Sequence, residues 1–319
     1  MSSGASFGAK IMFRNLALLV VLAFSTGDCQ DHEVDEPPRT ADRTFRPAIA
    51  ERGFAEGEGP VVFFDEGHNN FHKTSGTYSP FVALIERDGY VVEPITAPFG
   101  AESLAACDIL VIADAMPRKH DDPYSTFSKD EVSALAEWVH GGGALFLITD
   151  HFPDPFAVKK LAAAFGIAVN NGYALARRPD EEARPIVFMG QAGTLRDHSI
   201  TKGRTEAETV GHVATFAGCA FQAGSDFEPL LVFGKGTKSW MTEKSWDFPP
   251  HTPTIDVEGW YQGGVLKWGE GRVAFFGEAA MFTAQIFDAG RVRAGMNHPQ
   301  AKRNAQFLLN VLHWLSGLL

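Results

Sequence analysis

Val61-Val-Phe-Phe64 is an unbroken apolar run that ends in an acid, Asp65. A second run, Ala144-Leu-Phe-Leu-Ile148, has the same character and is followed two residues later by Asp150. Apolar runs of this length without polar alternation are typical of strands that are buried on both faces of a parallel sheet. Each run therefore predicts an interior strand with an acidic side chain at its carboxyl end.

The same buried pattern recurs on both sides of these runs. Ile109-Leu-Val-Ile112 and Arg272-Val-Ala-Phe-Phe276 predict two further strands, and Tyr90-Val-Val92 predicts a shorter one. Helix-start signals separate them: Ser79-Pro80 with the serine as N-cap, the capping box Ser128-Lys-Asp-Glu131, Asp154 as a cap, and His298-Pro299 before the final helix. Alternating strands and helices predict a flavodoxin-like α/β fold with a mainly parallel sheet and helices on both faces.

Bulk composition limits the classes of function. The chain has 319 residues, is 45% hydrophobic and contains 26 Phe and 6 Trp, which is ample material for a large core. Its formal net charge of −11 argues against binding to nucleic acid, because phosphate contacts need clustered Lys and Arg. A small-molecule or carbohydrate ligand fits this charge. Cys107 and Cys219 lie in apolar contexts and are predicted to be buried thiols.

The N-terminus has the pattern of a targeting segment. Residues 1–28 contain Arg14, then the apolar run Leu16–Phe24, which is too short to span a bilayer, then small and polar residues. Cys29 resembles the acylated cysteine of bacterial lipoproteins, although Asp28 departs from the small residue expected before it. We therefore expect an exported protein that is either free in the periplasm or anchored to the envelope by lipid at Cys29.

The remaining chain divides by composition. Residues 29–59 are charged and contain Pro37-Pro38, which predicts a disordered linker. Residues 60–319 are predicted to form one α/β domain. Within it, residues 172–271 carry short alternating segments separated by Gly and Pro, which predicts a β-rich excursion.

Several stretches together resemble a known superfamily. They are Phe64-Asp-Glu-Gly-His-Asn-Asn70, Phe127 through His151, His198-Ser-Ile-Thr-Lys-Gly203, and Gly271 to the C-terminus. In them the chain is similar to exported members of the class I glutamine amidotransferase-like superfamily. These members relate to trehalose-utilisation (ThuA-like) domains and to a domain of an intraflagellar-transport protein. The resemblance implies the fold and says little about activity, because this fold hosts many functions. True amidotransferases place a nucleophilic cysteine on a tight strand-to-helix turn, and neither Cys107 nor Cys219 is predicted there, so glutaminase chemistry is not expected.

Polar residues accumulate where the predicted strands end. Ligands of open α/β sheets bind beyond the carboxyl ends of the strands, so these residues form the candidate site. The candidate catalytic residues are Asp65, Glu66, His68, Asp150, His151 and Glu278, and the candidate substrate-binding residues are Asn69, Asn70, Asp114 and His298.

Three interpretations of this set stay open. In the first, carboxylate and imidazole groups do acid–base work in a hydrolase-like enzyme acting on a small polar or carbohydrate-type substrate. In the second, His68, His151 and Asp150 hold a divalent metal that activates water. In the third, the groups only order loops, and the domain is a non-catalytic envelope module that binds a sugar or a protein partner. Exposed rings among Trp240, Trp246, Trp260 and Tyr261 would suit sugar stacking.

Overall fold

The computed structural model describes residues 39–117, 125–179, 184–287 and 291–319. The predicted signal segment, Cys29 and the first part of the predicted linker lie outside these residues. None of the helices in the described ranges combines the length and the apolar character that a membrane crossing requires.

Seventeen strands occur in the described part of the chain. In chain order they are β1 (Thr40–Ala41), β2 (Val61–Asp65), β3 (Val91–Ile95), β4 (Ile109–Ala113), β5 (Ala144–Ile148), β6 (Ile167–Val169), β7 (Tyr173–Leu175), β8 (Ile186–Met189), β9 (His212–Thr215), β10 (Phe221–Ala223), β11 (Glu228–Val232), β12 (Lys238–Trp240), β13 (Thr254–Asp256), β14 (Tyr261–Trp268), β15 (Gly271–Phe276), β16 (Ala284–Phe287) and β17 (Val292–Gly295).

Helices are fewer. In the described residues they are α1 (Ser79–Arg87), α2 (Lys129–His140), α3 (Asp154–Ala164), α4 (Ser199–Lys202) and α5 (Asn304–Leu315), with short 3₁₀ turns at Gly190–Ala192, Glu206–Glu208 and Ala280–Phe282. The predicted capping box of α2 is present, because Ser128 Oγ accepts the Glu131 amide and Glu131 accepts the Ser128 amide. The last helix begins at Asn304 rather than at His298, since residues 298–304 form successive turns instead.

The main sheet is mixed. Its strand order is β3-β2-β4-β5-β15-β14-β10-β6, with β11 beside β14. The five strands from β3 to β15 pair in parallel, whereas the other four join antiparallel. The prediction of a mainly parallel sheet therefore describes only one half. The strands that begin at Val61 and Ala144 lie in that half, run in the same direction, and end at a common edge.

Two apolar clusters flank the parallel half, because alternate side chains of a strand point to opposite faces. Val111 and Phe146 join a cluster that includes α1 and α5. Leu110 and Leu145 join the other, which includes α2 and α3. The predicted β-rich excursion does not stand apart from this core, since it supplies β10, β11 and β14 to the main sheet.

The segment before β2 is ordered from residue 39 onward, so the predicted linker of residues 29–59 is wrong over this part. Strand β1 pairs with β16, and Asn297 Nδ2 donates to Asp42 Oδ2 over 3.1 Å. Phe45, Ile49 and Phe54 pack against the cluster of α1 and α5. These three apolar side chains, scattered among charged residues, anchor the segment to the domain.

Candidate functional site

The common edge of the parallel strands gathers the predicted acids. Asp65 ends β2, Asp114 follows β4, Asp150 follows β5, and Glu278 follows β15. All four are buried. Their hydrogen bonds nevertheless divide them into two groups with different roles: a paired group around His68 and an acid cluster around Asp114.

In the first group, His68 bridges two carboxylates. Its Nδ1 lies 2.8 Å from Asp65 Oδ1 and its Nε2 lies 2.9 Å from Glu131 Oε1. The ring also packs between Phe99 and Phe127. Burial lowers the pKa of His68, but its hydrogen bonds to the two carboxylates outweigh burial and raise it. The ring thus acts as a buried cation that ties the end of β2 to the start of α2, with neither nitrogen left for substrate or metal.

The neighbours of His68 order the same loop. Asn70 Nδ2 donates to Asp65 Oδ2 over 2.9 Å, and its Oδ1 accepts the His68 amide over 3.0 Å. Glu66 Oε1 accepts both the amide and the hydroxyl of Thr74. The exposed Asn69 donates to the carbonyls of residues 116 and 117. Residues 65–70 therefore have loop-ordering partners of the kind that the third interpretation describes.

The hydrogen bonds of His68 also argue against the metal interpretation. His68 is held by Asp65 and Glu131, so it does not join His151 and Asp150 around a common centre. Within the described ranges, no three His, Cys, Asp or Glu side chains converge as metal ligands.

The second group is a buried acid cluster. It includes Asp154, which is not among the candidate site residues predicted from the sequence. Asp154, at the start of α3, hydrogen-bonds to Asp114, and within the described part of the chain one oxygen of each carboxyl has no hydrogen-bond partner. Burial and the charge of Asp150 raise the pKa of Asp114. Burial and the charges of Asp114 and Asp150 raise that of Asp154 well above its ordinary value. Two buried carboxyls in contact cannot both ionise, so the pair shares a proton.

Asp154 was predicted only as a helix cap. The structure places Pro153 at the N-cap and Asp154 inside the first turn, with its side chain on Asp114 instead of on backbone amides. Asp114 is itself in a left-handed conformation, with φ of 53°. Strain at a strand tip is common in functional sites. The available signal was the spacing of Asp150 and Asp154, four residues apart after a buried strand.

Glu278 adds a third acid of raised pKa. Its carboxyl accepts the amides of Met281 over 2.8 Å and Ala280 over 3.2 Å. Burial and the charge of Asp150 nevertheless raise the pKa of Glu278 well above its ordinary value. The chain at Gly218, with φ of 103°, packs so closely on this turn that a Cβ there would collide with the Gly277 carbonyl oxygen.

His151 brings an imidazole to the cluster. Its amide donates to Asp150 Oδ1 over 2.9 Å, and its Nδ1 donates to the Phe152 carbonyl over 3.0 Å. The ring stacks on Tyr173 with centroids 4.2 Å apart. Because Nδ1 carries the proton, Nε2 keeps its lone pair. Burial lowers the pKa of His151, so the neutral, basic form prevails at neutral pH.

Two further residues that are not among the candidate catalytic or substrate-binding residues lie near the cluster. His72 is buried against Tyr78, and its Nε2 lies 3.8 Å from Asp114 Oδ2. Arg39 lies over the Phe71 ring at 4.4 Å, just before β1. Its charge reaches the cluster, since it lowers the pKa values of Asp114, Asp154, His72 and His151. The sequence does not point to Arg39, because the composition of its segment predicts a linker.

We expect Arg39→Gln to raise the pKa of His151, because the substitution removes a positive charge that opposes protonation of the ring. NMR titration of the histidine ring signals measures this directly. His212, whose pKa is lowered by burial and by the charges of Arg303 and Lys302, provides an internal reference that should not change. An unchanged His151 pKa would show that the Arg39 charge does not reach the cluster.

His298 and the two described thiols have other surroundings. His298 Nδ1 accepts the Gln300 amide over 3.2 Å, and its ring packs edge-on against Phe216, so it orders the turns before α5. Cys107 and Cys219 are buried, as predicted, and burial raises the pKa of both thiols.

Fold and site together define an α/β protein with a buried acid cluster at the carboxyl edge of its parallel strands. No family model and no curated protein matches the chain. Solved structures are similar to it in fold. The mmIFT52 N-terminal domain aligns with a TM-score of 0.55 at 14% identity, covering 80% of this chain and 96% of that one.

Two further solved structures align more loosely. A ThuA-like protein from Bacteroides uniformis ATCC 8492 has a TM-score of 0.46 at 10% identity, covering 82% of this chain and 94% of that one. A β-galactosidase from Bacillus circulans sp. alkalophilus has a TM-score of 0.42 at 10% identity, covering 82% of this chain and 31% of that one. The neighbours thus include both kinds of domain that the sequence resembles, and the likeness extends to the fold alone.

Proposed function

We propose that the acid cluster is the active site of a hydrolase-like enzyme that acts on a small polar or carbohydrate-type substrate. One observation carries the proposal: a carboxyl pair that shares a proton, Asp114 and Asp154, belongs to the same cluster as an imidazole with a free lone pair, His151. Hydrolysis needs both a proton donor and a proton acceptor at one pH, and this cluster supplies them together.

The roles follow from the protonation states. The Asp114–Asp154 pair donates a proton to the leaving group, and His151 Nε2 accepts one from water. Asp150 accepts the amide hydrogen of His151, and Glu278 contributes a further carboxyl whose pKa is raised by burial and by the charge of Asp150. In this proposal the parallel half of the main sheet is flavodoxin-like. Ligands of such sheets bind at the carboxyl edge of the strands, where the acid cluster lies.

A second candidate function is a non-catalytic domain that binds a sugar or a partner. It is favoured by Trp246, a residue that is 45% exposed and whose ring centroid lies 4.8 Å from that of His151, because an aromatic ring at a polar site suits recognition without turnover. Turnover separates the two functions.

The test is a screen of purified protein against p-nitrophenyl glycosides and p-nitrophenyl acetate. We expect His151→Gln to reduce kcat/KM by 10²- to 10⁴-fold, roughly what loss of a general base costs. His251→Gln, which changes an exposed histidine elsewhere, should keep full activity. Equal rates in the wild type and His151→Gln would refute the catalytic role and leave the binding function.

A further inference from the structure

Trp246 is held in a conformation that large side chains avoid. Its φ is 58°, in the left-handed region, where a bulky residue is an outlier. Such strain persists only where surrounding contacts impose it. Here the strain does not serve burial, because 45% of the residue remains exposed.

Contacts with Tyr173 of β7 and with the loop after β5 surround it. The Trp246 amide donates to the Tyr173 hydroxyl over 3.1 Å, and that hydroxyl donates to the Phe152 carbonyl over 3.2 Å. The indole lies 5.0 Å from the Tyr173 ring and meets the His151 ring edge-to-face at 4.8 Å. The exposed indole is therefore fixed beside the imidazole of the acid cluster.

The other aromatic residues of the predicted group do not present such a surface. Trp240 is buried, Trp260 packs against the cluster of α1 and α5, and Tyr261 packs against that of α2 and α3. Among these four, Trp246 alone combines exposure with a place at the site.

We infer that Trp246 is a substrate-stacking residue and that the substrate contains a pyranose ring, an inference that rests on the proposed function. The C–H face of a pyranose is apolar and packs on an indole, while its hydroxyls are donors and acceptors. The cluster offers complementary groups: a buried oxygen without a partner on each of Asp114 and Asp154, and Nε2 of His151. The chain's net charge of −11 disfavours an anionic ligand and is indifferent to a neutral sugar.

Binding of methyl glucopyranoside, methyl galactopyranoside and N-acetylglucosamine, measured by saturation-transfer NMR and calorimetry, tests the inference. We expect Trp246→Ala to weaken the best of these ligands about tenfold, as loss of one aromatic contact predicts. Trp246→Phe should recover most of the affinity, whereas Trp246→Leu, which is apolar but not aromatic, should not. Met189→Ala removes an equally exposed side chain elsewhere and should bind as the wild type does.

Three results would overturn the inference: no pyranoside binding by the wild type, unchanged affinity in a folded Trp246→Ala, or equal binding of the acyclic polyol sorbitol. Its failure is distinguishable from that of the proposed function. Ester hydrolysis without sugar binding would refute a pyranose substrate and support hydrolase activity. Trp246-dependent sugar binding without turnover would support pyranose recognition and refute hydrolase activity.

Discussion

Replacement of His68 by alanine lowers the free energy of unfolding by about 3 to 5 kcal/mol, the usual result of removing one partner from a buried ion pair. The loss is large because His68 serves two carboxylates at once. Without the ring, Asp65 and Glu131 are left poorly solvated and without their cation. Urea denaturation at pH 6 measures the effect. His251→Ala, which removes an exposed histidine, should stay within about 0.5 kcal/mol of the wild type.

The contacts of His68 with the two carboxylates also predict how the free energy of unfolding depends on pH. The pKa of His68 is raised in the folded state, so its stabilisation is fully present below the unfolded value of about 6.5. It is lost as the pH rises through the higher folded value. The difference in stability between wild type and His68→Ala should therefore shrink as the pH increases above 6.5. A loss under 1 kcal/mol, or a difference that grows with pH, would contradict a buried imidazolium.

His68 and His151 show how far sequence could go. Both follow a buried strand, and both stand beside acids in the sequence, so nothing local distinguishes them. The difference comes from a distant part of the chain: Glu131, 63 residues away, takes the second nitrogen of His68, whereas among the described residues only the Phe152 carbonyl binds a ring nitrogen of His151. A sequence pattern predicts which edge a residue reaches, because alternating strands and helices predict parallel strands that end at a common edge. It does not predict which partner the side chain finds there.

Asp154 and Arg39 were missed for related reasons. The helix-start rule assigns an acid before a helix to its own backbone, but Asp154 turns to Asp114, at the tip of a different strand. Arg39 sits among prolines and charges that resemble linker, and its position depends on β1 pairing with β16, nearly 250 residues later in the chain. The hydrophobic periodicity of a segment does not indicate which distant segment it pairs with. The edge of the sheet and the acids that end its strands were predictable, whereas Asp154 and Arg39 were not.

Asp154→Asn should abolish most activity without destabilising the fold. The side-chain amide that this substitution introduces can donate to Asp114 as the protonated acid does, so the contact survives. The amide cannot release a proton, so kcat/KM should fall by about 10²- to 10⁴-fold. Asp226→Asn, a change of an exposed acid, should alter neither property.

The stability of Asp154→Asn relative to the wild type should also depend on pH. The folded pKa of Asp154 is raised above its unfolded value of 3.8, so the folded state binds more protons than the unfolded state at intermediate pH. Wild-type stability contributed by this group therefore falls as the pH rises above 3.8, and it continues to fall until the folded pKa is reached. Asparagine does not titrate, so the stability of Asp154→Asn relative to wild type should increase between pH 5 and pH 8 in urea denaturation. An inactive variant that is stable, and more so at pH 8, identifies an acid kept protonated for chemistry at the expense of stability. A variant that loses activity and stability together would make Asp154 part of the scaffold instead.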